Sequence, residues 1–426
     1  MPDKSPLSKP LSTPTLNRNV SIALACSPLH SPSKLQGNNM RKFFIYVRRG
    51  ILLLILVLAA LALWQRDKIT RLMAVNNLFS EEKIVNNFTQ METMFLTRQL
   101  GRGNGHVSPL LDGQPALLPQ GVDDWIKTRK VTSLLVMKNG AVVSEQYFLG
   151  TNADDRRISW SVAKSFLSAL FGIVLAEGQI ESLDDQVTKY APALKGSAYD
   201  GATIRNVLNM SSGVKFNEDY MDYNSDINRM GRVLALGWSM DGFAASLKER
   251  AFTPGEKWQY VSIDTHVIGM VIRGATGRSI HNLMEEKIVI PMGFEAPPYY
   301  VTDGDGVAFV LGGLNLTTRD YARFGQMFLK GGFWNGKQIV PKNWVMTSTK
   351  PSAPTNDGEI GYGYQWWVPE GAVEGEFMAR GIYGQYIYVN RPRGIVIVTT
   401  AADRKFREPG VATQNIAMFR LIASRI

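Results

Sequence analysis

Ser161-Val-Ala-Lys164-Ser-Phe-Leu-Ser-Ala-Leu-Phe-Gly-Ile-Val-Leu-Ala-Glu-Gly178 is the stretch on which the fold turns. It is apolar nearly all round a helical wheel, so it reads as a helix buried inside a domain. Lys164 is the only charge between Ile158 and Ala176. Upstream, Val131–Met137 and Ala141–Phe148 are two β-rich runs around Lys138-Asn139-Gly140, and Asn-Gly between such runs marks a hairpin. Downstream, residues 180–300 read as helical pieces punctuated by Gly and Pro. A further helix over Tyr321–Leu329 has Thr317 as its N-cap and Asp320 as the acid three residues on. Strands return at Ile382–Val389 and Gly394–Thr400, separated by Asn390-Arg-Pro-Arg393. The order is strand pair, long helical insertion, strand pair, final helix. It predicts an α+β fold, an antiparallel sheet flanked by helices with an all-helical region built from the middle of the chain. No internal repeat interrupts it.

The 426 residues are 45% hydrophobic and 20% charged, which excludes wholesale disorder. A single cysteine, Cys26, excludes an intramolecular disulfide framework and Cys-based zinc or iron–sulfur sites. The four histidines are widely spaced and form no HExxH helix, so no metal is expected. No motif for NAD or nucleotide is present, and no cofactor is expected; Gly101-Arg-Gly-Asn-Gly105 reads as a surface loop. Net charge is +10, of which residues 1–49 carry +7. The remaining chain is nearly neutral and has no basic concentration of the kind that nucleic-acid binding requires.

Residues 1–42, rich in Ser, Pro, Asn and Lys, are expected to be a disordered cytoplasmic tail. The run Ile51–Trp64 is apolar throughout, and counting from Phe43 extends it to 22 residues, enough to span a bilayer. Arg41, Lys42, Arg48 and Arg49 flank it on the N-terminal side and Trp64 ends it, the pattern of a signal anchor over 43–65 with the body extracytoplasmic (periplasmic in a Gram-negative cell). A cleaved signal beginning at Met40 is the competing reading. Residues 66–89 follow as a lead-in, and 90–426 as the main domain.

Chemistry concentrates at Ser161 and Lys164. Residues three apart share a helix face. A serine hydroxyl needs a base, and a lysine serves as one only when burial destabilises its ammonium. The apolar run around Lys164 supplies that setting, and the helix N-terminus offers N–H groups to a developing oxyanion. Arg157-Ile-Ser-Trp-Ser161-Val-Ala-Lys164-Ser-Phe resembles the nucleophile motif of the serine β-lactamase and penicillin-binding-protein superfamily. Trp258-Gln-Tyr260-Val-Ser262-Ile-Asp-Thr265 resembles its second motif, the Tyr-x-Asn segment of class C β-lactamases and related esterases. Ala379-Arg-Gly381-Ile382-Tyr-Gly-Gln385 resembles the strand that carries Lys-Thr-Gly or His-Thr-Gly. Gly312-Gly-Leu314, leading into the Thr317 helix, is also typical. Within the superfamily, Asn217-Glu-Asp-Tyr220, Gln365-Trp-Trp367 and Gly381–Gln385 are most similar to the 6-aminohexanoate-dimer hydrolase branch.

The resemblance implies a β-lactamase/transpeptidase-like fold over about 90–426 and a serine hydrolase that cleaves an amide or ester of a small molecule through an acyl-enzyme. It implies Ser161 as nucleophile, Lys164 as general base or as the group that tunes its partner, and Tyr260 as proton shuttle to the leaving group and activator of the deacylating water, with a phenol titrating below about 10. The N–H groups of Ser161 and Ile382 would form the oxyanion hole. Tyr220, Ser262 and Gly381 are expected to contact substrate, Tyr220 at the leaving amine. Two departures, Ser262 in place of Asn and Arg380-Gly381 in place of Lys-Thr-Gly, argue against efficient β-lactam hydrolysis. A D-Ala-D-Ala peptidase, a non-catalytic binding relative and, more weakly, a Ser-His-Asp hydrolase using His266 stand as alternatives. Tyr362, Tyr364, Trp366 and Trp367 either line a cleft or pack the core. The natural substrate and the oligomeric state are not legible in the sequence.

Overall fold

The computed structural model describes residues 34–356 and 358–426. Residues 1–33 of the expected tail, Cys26 among them, lie outside the described residues. Two units are distinguished, Met1–Trp64 and Gln65–Ile426. In the first, Lys34–Trp64 is one helix. Its start precedes the expected boundary at Phe43; Met40, Arg41 and Lys42, good helix formers, continue the apolar helix backwards. Asn38–Trp64, 27 residues, is long and apolar enough to cross a membrane. At 1.5 Å per residue it spans about 40 Å, more than a bilayer's hydrocarbon core.

The second unit is organised on an eight-stranded sheet. The hairpin Val131–Lys138 and Ala141–Tyr147 forms as expected, with Asn139 and Gly140 both at positive φ in the turn. Val131–Lys138 pairs antiparallel with Ile395–Ala401 from the far end of the chain. Beyond it lie Gln385–Asn390, Glu376–Gly381, Trp367–Val368 and Gly361–Tyr362. Side chains alternate between two cores. Leu135, Met137, Val396 and Val398 face the helices Val162–Ala176 and Thr318–Leu329, while Leu134, Val136, Ile395 and Ile397 face Trp125 and Phe419. A sheet covered on both faces explains why its central strands read as unbroken apolar runs.

Two features differ from the sequence expectation. The strand expected over Ile382–Val389 begins only at Gln385; Ile382–Gly384 is a tight turn with Tyr383 at φ 60° and Gly384 at φ 92°. The strand before that turn, Glu376–Gly381, carries charges at Glu376 and Arg380 that broke its pattern, although buried Glu376 is fully engaged by Tyr388 and Arg420. A second sheet orders Thr97–Gln99, Tyr299–Val301, Leu314–Leu316 and Arg157–Ile158, all antiparallel. Strands of two or three residues have no legible period. This small sheet nevertheless sets the site, because it ends at Ile158, just before Ser161, and at Leu314, just after Leu311.

The stretch 66–89 belongs to the compact unit. Its helix Arg66–Asn77 is tied down by Arg71, whose Nε donates to the Ala235 carbonyl at 2.7 Å. Buried Arg157 donates to the Val85 carbonyl and Thr89 hydroxyl, and the Ile158 N–H to the Phe88 carbonyl at 3.0 Å.

Candidate active site

Ser161 stands at the N-cap of the buried helix Val162–Ala176. The turn that delivers it is tight. Ser159 N–H donates to the Leu314 carbonyl at 2.8 Å, and Trp160 follows at φ 44°, a left-handed conformation unusual for a bulky residue. One helical turn on, Lys164 is 1% exposed and its Nζ donates to the Leu311 carbonyl at 2.9 Å. The same nitrogen lies 5.5 Å from the centre of the Tyr260 ring. Burial lowers the Lys164 ammonium to about 7, with Glu218 and Asp264 pulling weakly the other way. The amine is therefore largely neutral in mildly alkaline water, the state a base requires.

Tyr260 behaves differently from the expectation. Its phenol is raised well above the usual tyrosine range, by burial first and the Glu218 carboxylate second; Ser161, Arg380 and Ser262 only partly offset them. The ring stacks on Trp367 at 5.3 Å and meets Tyr362 edge-on at 6.3 Å. The cationic help expected for the phenolate is outweighed, so Tyr260 rests as a neutral donor and Lys164 is the more readily available base. The aromatic cluster behind it is core rather than open cleft: Tyr362, Tyr364 and Trp366 are buried, and Trp367 is half-buried beneath the Arg380 guanidinium at 5.2 Å.

Glu218, assigned no role from the sequence, is a hub. It accepts the Tyr220 hydroxyl at 2.9 Å, the Ser262 N–H at 3.1 Å and the Ser262 hydroxyl. Ser262 and Tyr220 are thus brought to the site, but both hydroxyls are spent on Glu218. Its sequence signal was its place in Asn217-Glu-Asp-Tyr220, the segment that resembles the 6-aminohexanoate-dimer hydrolase branch, where only Tyr220 was given a role. Asp264 lies on the same helix as Ser262. It is buried and raised to about 8 by that burial, with Tyr199 and Ser212 donating to its Oδ1 at 2.7 and 2.8 Å.

Gly381 ends its strand against the Ser161 turn. A Cβ there would lie 2.7 Å from the Ser159 carbonyl oxygen and 3.1 Å from the Ser161 nitrogen, so only glycine permits this approach. Ile382 follows directly and, with Ser161, lines a cavity of about 110 Å³. Tyr383, next in line, stacks on Phe79 at 4.8 Å, and Phe79 lies 5.5 Å from Trp160. The lead-in segment thereby braces both strained residues beside the site. His266 is not part of it: buried, its Nε2 pairs at 2.7 Å with Asp241, which also holds Arg273.

A family model described as Beta-lactamase matches residues 122–418. The chain belongs to the beta-lactamase family. A 6-aminohexanoate-dimer hydrolase of Paenarthrobacter ureafaciens is 30% identical over 303 residues, covering 68% of this chain and 76% of that protein. Among solved structures, a Bacillus anthracis protein assigned as a 6-aminohexanoate-dimer hydrolase superposes with a TM-score of 0.69 at 24% identity, covering 82% and 95% of the two chains. A penicillin-binding protein from Bacillus halodurans superposes at 0.54 with 15% identity, over 70% of this chain and 100% of its own. The β-lactamase/transpeptidase-like fold expected from the motifs is therefore the fold, and the chain takes its place among the serine hydrolases of this family.

Proposed function

We propose that the chain cleaves an amide or ester bond through an acyl-enzyme on Ser161. The observation that carries this is the buried Lys164 amine, lowered to about 7, one helical turn from Ser161 and 5.5 Å from the Tyr260 ring. The Ser161 oxygen bonds to the substrate carbonyl carbon while its proton passes to the neutral Lys164 nitrogen. The carbonyl oxygen becomes an oxyanion that the N–H groups of Ser161 and Ile382 receive, each worth about 2.7–4 kcal/mol of barrier by the behaviour of known oxyanion donors. Tyr260 gives its phenolic proton to the leaving nitrogen or oxygen as the carbon bond to that atom breaks, and the Lys164 ammonium returns a proton to Tyr260. Water then attacks the acyl carbon by the reverse relay, releasing acid and restoring Ser161. No step needs a phenolate at rest, which agrees with the raised Tyr260. Glu218 fixes Ser262 and Tyr220 around this centre. The helix Asn38–Trp64 is long and apolar enough for single-pass anchoring, and the basic residues Arg41, Lys42, Arg48 and Arg49 are the ground for reading the N-terminus as cytoplasmic and the hydrolase as outside.

The test is hydrolysis of p-nitrophenyl acetate by the full chain in detergent micelles, beside Ser161→Ala and Tyr260→Phe. Turnover that vanishes in Ser161→Ala, with an acyl adduct on Ser161 by mass spectrometry, supports the reading. No turnover and no adduct would sink it and favour a binding module.

A further inference from the structure

The cavity at Ser161 has two unusual properties. Among the described residues, none that lines it is charged. Its polar side chains, Ser161 and the unpartnered Trp160 indole N–H apart, already make hydrogen bonds. Tyr220 and Ser262 are held by Glu218, and the Asn228 amide donates to the backbone carbonyls of Tyr220 and Asp222 at 3.0 and 2.8 Å. The rest of the wall is hydrocarbon. Much of it comes from residues ahead of the family match at 122: Val75, Leu78, Phe79, Met91 and Phe95. Gly231 and Leu234 of the helix Asp226–Leu236 complete that side.

The two halves of a substrate go to different places. The leaving group must meet the proton donor Tyr260, which does not line the cavity, whereas Ser161 and Ile382 do. Resting on the reading above, we infer that this cavity receives the acyl half of the substrate, and that residues 75–95 select an uncharged aliphatic chain. A dry apolar cavity of about 150 Å³ holds a benzene, so 110 Å³ suits a chain of about four carbons beyond the carbonyl. An ammonium at the end of that chain would meet no carboxylate among the lining residues and would be desolvated with little compensation. The acyl preference then separates this chain from a relative whose name carries an amino-terminated acyl group.

The experiment measures kcat/KM for acetyl, butyryl, pentanoyl, hexanoyl and 6-aminohexanoyl p-nitrophenyl esters with the full chain in micelles. Each added methylene is expected to raise the value about fourfold up to pentanoyl, from the usual hydrophobic increment. The pentanoyl-to-acetyl ratio is therefore about sixtyfold by the same increment. The 6-aminohexanoyl ester is expected at least about a hundredfold below hexanoyl. Gly231→Val, whose Cβ would enter open space, and Val75→Phe, on the half-buried lead-in helix, should both collapse the pentanoyl-to-acetyl ratio toward unity. A flat chain-length profile, or 6-aminohexanoyl turned over as fast as hexanoyl, would overturn the inference while leaving Ser161 chemistry intact. Loss of all turnover in wild type, with no Ser161 adduct, would instead remove the hydrolase reading on which it rests.

Discussion

Lys164 is the residue whose environment says most. Its folded value near 7 lies below the ordinary 10.5, so its protonation penalty is present in full below about pH 7 and fades as pH rises toward 10.5. Two outcomes follow. The pH profile of kcat/KM should rise through an apparent value near 7 as the amine loses its proton. Lys164→Met should lower kcat by about a hundred- to ten-thousandfold, yet raise unfolding stability at pH 7 by roughly 1–3 kcal/mol, after allowing for the Leu311 carbonyl left without its donor. That gain should shrink toward pH 10, because the wild type recovers stability there and the variant does not. Denaturant midpoints at pH 7 and 10 check the sign. The sequence made Lys164 legible, since one charge in an apolar helix stands out. It misled on Tyr260, because the titration of a phenol depends on which loop folds over it, and Glu218 arrives from 42 residues away in the chain.

Among the elements, the meeting of the strand Glu376–Gly381 with the Ser161 turn is the critical fit. Gly381→Ala places a methyl 2.7 Å from the Ser159 oxygen, and something must shift. A displaced oxyanion donor should lower kcat by about a hundred- to a thousandfold with little change in far-UV circular dichroism; activity within threefold of wild type would mean the turn yields freely. Glu218→Gln is a gentler probe. It keeps the shape but removes the carboxylate beside Tyr260, so the phenol should titrate lower, seen as an earlier rise in absorbance near 295 nm on alkaline titration. Long elements were readable before the structure: the Asn139-Gly140 hairpin, the buried helix after Ser161, and the Thr317 cap, whose side chain accepts from Asp320 N–H. The small four-stranded sheet was not. Its strands carry too few residues for a pattern, and their partners lie far apart in sequence.

Taken whole, the molecule draws its site from more of the chain than the family match suggests. Residues 66–95 wall the cavity and bury Ile84, Phe88 and Met91 in the main core. A chain beginning at residue 96 should therefore lose most activity and bind a hydrophobic dye, whereas one beginning at Gln65 should keep activity and leave the membrane pellet. Equal activity of the two truncations would show the lead-in to be dispensable. The buried lysine has one more consequence, on the scale of descent rather than of pH. A lineage released from selection for chemistry would find an apolar replacement of similar size at position 164 already downhill in folding energy, and drift would remove the lysine early. The position would work as a clock that starts when catalysis stops.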